Sequence, residues 1–89
     1  MPAYAVNRDR AVWGVVDGEA AIINVDTSFY YGLNATGTFI WTLLVENELS
    51  LDQIVARVST RYRCPESEVR EDVRRVLEQL REEQLILER

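Results

Sequence analysis

One change of rhythm, at Gly32-Leu33-Asn34, restricts the fold more than any other feature of this chain. Before it, short runs with strand character are separated by turn residues, the pattern of pleated strands. After it, apolar residues recur at three- and four-residue intervals, the pattern of helices. A chain that writes its strands first and its helices afterwards belongs to the α+β class. Eighty-nine residues supply one core rather than two.

The strands are bounded by local signals. Ala11–Val16 (AVWGVV) reads as a strand, and Asp17-Gly18 as a two-residue hairpin turn, since both residue types tolerate the positive φ of a type I′ turn. Glu19–Val25 follows, with Ala21, Ile23 and Val25 on one face. Phe29–Leu33 is the third strand. Three aromatics in a row, Phe29-Tyr30-Tyr31, cannot share a face. With Phe29, Tyr31 and Leu33 turned to the core, Tyr30 faces outward. Residues 1–10 read as a flexible or weakly paired arm, and 11–89 as a single domain.

Helix signals are equally local. Asn34 or Thr36 can cap a first helix carrying Phe39, Ile40, Leu43 and Leu44. Ser50-x-x-Gln53 is a capping box opening a second helix, whose stripe is Leu51, Ile54, Val55, Val58 and Tyr62. Pro65 suits the first position of a third helix running to about Gln84. Its apolar stripe is Val69, Val73, Val76, Leu77 and Leu80. The tail Leu85-Ile86-Leu87 is expected to dock on the core. The order β-β-β-α-α-α gives a winged helix-turn-helix-like fold, a three-stranded antiparallel sheet against three helices.

Several function classes conflict with the composition. The chain has no histidine and one cysteine, Cys64, so a nucleophile–base pair or a zinc cluster lacks its parts. It has no Walker loop, GxGxxG or HExxH, and no cofactor or metal is expected. The net charge is -5, and the third helix carries four arginines against seven carboxylates, so nucleic acid is not an expected partner. A winged-helix regulator remains the competing class. No apolar run approaches the ~20 residues that span a bilayer, and MPAYAVNRDR has no apolar signal core. A cytoplasmic protein with no membrane partner is the expectation.

The stretch Asp26–Trp41 (DTSFYYGLNATGTFIW) resembles the signature of PqqD-like domains, the recognition elements of ribosomally made, modified peptides (RiPPs). Asp17-Gly18, Tyr30-Tyr31, Leu33-Asn34, Gly37 and Ile40-Trp41 stand in the order of that family. The resemblance implies binding of the leader segment of a precursor peptide, which adds as an extra strand beside the third strand and lies against the third helix. It implies no catalysis, and a partner in the form of a leader peptidase or other modifying enzyme. Within the family the chain is most similar to the discrete leader-binding proteins of lasso peptide biosynthesis, with a pyrroloquinoline quinone (PQQ)-type chaperone as the alternative. The peptide-binding residues expected are Ser28, Phe29, Tyr30, Tyr31, Gly32 and Leu33 on the strand, with Val69, Asp72, Val73 and Val76 on the helix. Val69 and Val73 also read as core positions.

Overall fold

A computed structural model describes residues 2–89. The element order is β1 (Ala3–Val6), β2 (Ala11–Val16), β3 (Glu19–Asn24), β4 (Tyr30–Gly32), α1 (Ala35–Glu46), β5 (Leu49–Ser50), α2 (Leu51–Tyr62), α3 (Glu66–Glu82) and β6 (Ile86–Glu88). The α+β class and the antiparallel meander followed by three helices are as the sequence implies. Two sheets are present, ordered β2-β3-β4 and β5-β1-β6.

The second sheet departs from the sequence reading. The N-terminal arm, expected to be flexible or weakly paired, supplies β1, which pairs antiparallel with β5 on one side and β6 on the other. Ala3 and Arg89 exchange hydrogen bonds in both directions, at 2.8 and 2.7 Å. The partners are two- and three-residue strands far away in sequence, so no local period announces them. The apolar tail docks as expected: Leu85 and Ile86 are buried.

In the meander the hairpin turn has φ of 54° at Asp17 and 79° at Gly18, the left-handed pair that a type I′ turn needs. Ala20, Ile22 and Asn24 of β3 face the core. The other face, with Ile23 and nearby Val25, lies in solvent. Trp13 of β2 meets the buried Trp41 of α1 edge-to-face, ring centroids 5.4 Å apart, an arrangement aromatic pairs favour.

The helices start where their caps stand. The Asn34 side chain accepts from the Gly37 N–H at 2.9 Å. Ser50 and Gln53 form the reciprocal capping box. Pro65 takes the N-cap position, one residue before α3 rather than its first turn. Asp52 of α2 and Arg70 of α3 close an exposed ion pair at 2.7 Å across the two helices.

Two polar side chains fix the meander to the helices. Thr38 of α1 accepts the Ala20 N–H at 2.8 Å. Asn24, almost wholly buried, donates to the Glu83 carbonyl at 2.8 Å, and its own oxygen accepts the N–H groups of Asp26 and Thr27. Asn24 therefore holds both the β3–β4 turn and the C-terminal end of α3. A buried amide bonded through both its nitrogen and its oxygen specifies a single spacing between the elements it joins.

A vacant strand margin walled by the end of α3

β4 has a neighbour on one side only. On that side Asn24 N–H donates to the Phe29 carbonyl and Leu33 N–H to the Ala20 carbonyl, both at 2.9 Å. Bonded pairs alternate along an antiparallel ladder. With Tyr31 opposite Ile22, the main-chain groups of residues 29, 31 and 33 are those turned to β3. The N–H and C=O of Tyr30 and Gly32 point the other way. Among the described residues they have no backbone partner. Such a margin is a template for another strand.

A wall stands beside it. A cleft of about 410 Å³ lies between β4 and the end of α3. Its strand side is Tyr30 to Leu33, its helix side Gln79, Leu80, Glu82 and Glu83, with Leu85 completing it. Tyr31 turns into this side of the sheet, and its hydroxyl donates to the Glu83 carboxylate. That hydrogen bond, helped by burial and by the Glu83 charge, raises the Tyr31 pKa above its usual 10.0. Glu82 and Glu83 make the wall acidic, and no basic side chain lines the cleft. The floor of Leu80 and Leu85 is apolar and buried.

The residues expected from the sequence fall into three sets. Tyr30, Tyr31, Gly32 and Leu33 line the cleft. Tyr30 is 67% exposed and faces outward, matching its parity. Phe29 does not turn to the core: it is 62% exposed. Phe29 lies just outside β4, next to the left-handed Ser28 at φ 63°; its carbonyl still pairs with Asn24, but its ring stands at the end of the sheet in solvent. Leu33 is partly buried against the core. Val69 and Val73 are buried, 8% and 0% exposed. Asp72 and Val76 lie further up α3 than the cleft. They share a helix face with Gln79 and Glu83, at spacings of four, three and four residues.

Of the wall, the sequence places Gln79 on the groove flank with Asp72 and Val76, and gives no sign of Leu80, Glu82, Glu83 or Leu85 as contacts. The helix face was legible. Which end of that helix meets β4 depends on Asn24 and on the chain reversal at Gln84, φ 60°. No run of residues encodes that meeting locally.

The geometry suits an extended polypeptide. Two donors and two acceptors face outward from β4 beside an apolar floor, and strand addition uses that combination, main-chain bonds for affinity and side-chain pockets for specificity. Among the described residues no helix is long and apolar enough to cross a membrane, and no cluster of His, Cys, Asp or Glu has the makings of a metal site.

Comparison with known proteins agrees with this arrangement. The profile of the family described as Coenzyme PQQ synthesis protein D (PqqD) matches residues 19–86. A solved structure described as "TbiB1 in Complex with the TbiA(beta) Leader Peptide" superposes with a TM-score of 0.83 at 29% identity, over 92% of this chain and 93% of that one. No curated protein matches.

Proposed function

The chain belongs to the PqqD family, and from that premise we propose that it captures the leader segment of a ribosomally made precursor peptide at the β4 margin. The guest adds as a fourth strand, held by the N–H and C=O groups of Tyr30 and Gly32, with alternate side chains entering the cleft against Leu80 and Leu85. A solved relative of the same fold is described in complex with a leader peptide, which supports the same use of the margin here. The chain performs no chemistry on the guest; it presents it to a leader peptidase or another modifying enzyme. Lasso peptide biosynthesis is the pathway class we favour, on the resemblance of the chain to the discrete leader-binding proteins of that class. A PQQ-type guest is the second reading, carried by the family description itself. The two readings share the groove and differ in the peptide.

A guest longer than β4 runs on along Val76 and Asp72, which continue the face of Gln79 and Glu83. Asp72 is exposed and bonded only to the neighbouring Arg75, at 3.4 Å. It is therefore free to accept from a passing backbone.

The vacant backbone groups of β4 carry the proposal, and amide exchange tests it directly. On adding a leader peptide encoded beside the gene, the Tyr30 and Gly32 amides gain protection, while the Trp13 and Val15 amides on the opposite margin of the sheet do not. Binding with no added protection at Tyr30 and Gly32 rejects strand addition. Tyr30→Ala weakens the peptide in calorimetry and leaves the thermal melt intact. Asp72→Ala weakens it by a smaller factor, visible at low salt and fading as salt rises.

A further inference from the structure

Gly32 is the only residue of β4 without a side chain, and the fold does not require it to lack one. Its φ is not left-handed, and a Cβ built there meets no atom within 4 Å. Glycine inside a strand costs stability relative to residues with side chains. A strand glycine with ordinary dihedrals and open space often marks the approach of something from outside. Above it lies a second cavity, of about 510 Å³, on the face of the sheet opposite the α3 cleft. Val16, Ala21, Tyr30 and Leu33 line it together with the polar Asp17, Glu19 and Asn34. Val16 and Tyr30 are among the most exposed apolar residues of the molecule, both at 67%.

We propose that this cavity is a specificity pocket for one large apolar side chain of the guest peptide. The inference rests on the reading of β4 as the guest's edge and adds which residue of the guest is read on the outer face. The main-chain groups of Gly32 point away from β3, so an antiparallel guest residue opposite Gly32 bonds to it directly. Side chains of directly opposed residues stand on the same face of a sheet. The guest side chain at that position therefore lies over Gly32 and Ala21, between Tyr30 and Val16, where no side chain of this protein stands. Its neighbours on the guest point to the α3 cleft instead. The guest is thus read on both faces at once, and an aromatic or leucine-sized residue is the chemistry that fits the outer pocket.

Gly32→Val fills the pocket with a residue suited to strands, so the melting temperature is expected to hold or rise. Two probes read the result by NMR and calorimetry. The first is 4-methylphenol, a free aromatic side-chain mimic. It is expected to shift the Ala21 and Gly32 amides of the wild type and to leave residues 21 and 32 of Gly32→Val unmoved. The second is the leader peptide encoded beside the gene. Its affinity for Gly32→Val is expected to fall about tenfold or more, the scale of burying one large apolar side chain. Gly14→Val, two strands away on the same face, is expected to leave it within about twofold, since the change lies outside the pocket. If the peptide still protects the Tyr30 and Gly32 amides but binds Gly32→Val as well as wild type, the outer pocket is overturned and the strand-addition reading stands. No shift by 4-methylphenol at residues 21 and 32 also overturns it. Peptide binding with no protection at β4 overturns both.

Discussion

The meander has two free margins, and they are unlike. β2 exposes a side six residues long, Ala11–Val16, with no charge and no proline in it. β4 exposes a side of three. By length alone β2 is the better template. On its outer side the main-chain groups of Trp13 and Val15 stand unpaired among the described residues, as those of Tyr30 and Gly32 do on β4. The difference lies in what flanks each margin. β4 has a cleft against α3 on one face and a second cavity on the other. Of β2, these two cavities meet only Val16, at the far end of the strand. At β2 the Arg8 guanidinium lies 5.5 Å from the centre of the Trp13 ring and donates to the Val45 carbonyl, which brings a charge close to that margin. Backbone groups supply adhesion to any strand. Pockets convert adhesion into choice.

Three changes sharpen or break this contrast. The largest effect is expected from Asn24→Ala. It strands the Glu83 carbonyl and the Asp26 and Thr27 N–H groups in or near the interior, at a cost of about 1–3 kcal/mol in chemical denaturation. Guest affinity falls with it, because the wall of β4 loses its tie. Amide protection within the β2–β3 ladder survives. Equal loss on both sides of the meander would show that the wall is not specific to β4.

Tyr31→Phe comes next. It removes the hydroxyl that joins β4 to Glu83 and keeps the ring. The Tyr31 pKa is raised in the folded protein, first by that hydrogen bond, then by burial and by the charge of Glu83. Its stabilisation is therefore complete below the unfolded value of about 10 and lost as pH climbs through the folded one. Thermal melts across alkaline pH should show a larger loss in the wild type than in the Phe variant, which keeps only the part owed to Tyr4, whose pKa burial also raises. The same loss in both proteins would assign it elsewhere.

Smallest is Val15→Lys on the β2 margin. Exposed Val15 touches nothing the guest needs, so affinity stays within about 0.5 kcal/mol of wild type. Any self-association at high concentration should diminish, because a lysine on a free edge discourages pairing. A clear drop in leader affinity would mean that β2, and not β4, receives the guest.

What the sequence revealed follows the range of its signals. The hairpin, the two caps and the helical stripes are encoded within a few residues, and Asp17-Gly18, Asn34 and Ser50-Gln53 stand where those signals place them. The second sheet escaped notice because β1 meets β5 and β6 only after the chain has closed. Phe29 differs from its expected core place because alternation assigns a face but not burial: it pairs with Asn24 at the end of the sheet and stands 62% exposed there. The outward Tyr30 was legible from alternation alone. The helix wall was half legible, its face from the 3.6-residue period and its end from nothing local. Asn24 sits in a strand like an ordinary polar residue. Its importance comes from a carbonyl 59 residues away.

Glu83 receives both ties that set the width of the cleft, its carbonyl from Asn24 and its carboxylate from Tyr31. That makes the length of α3 a phase-sensitive quantity. Each residue advances a helix by about 100°, so one residue inserted between Val73 and Glu83 would still permit a helix but would swing the anchor away from both partners. Drift in helix length should therefore be tolerated least in this segment.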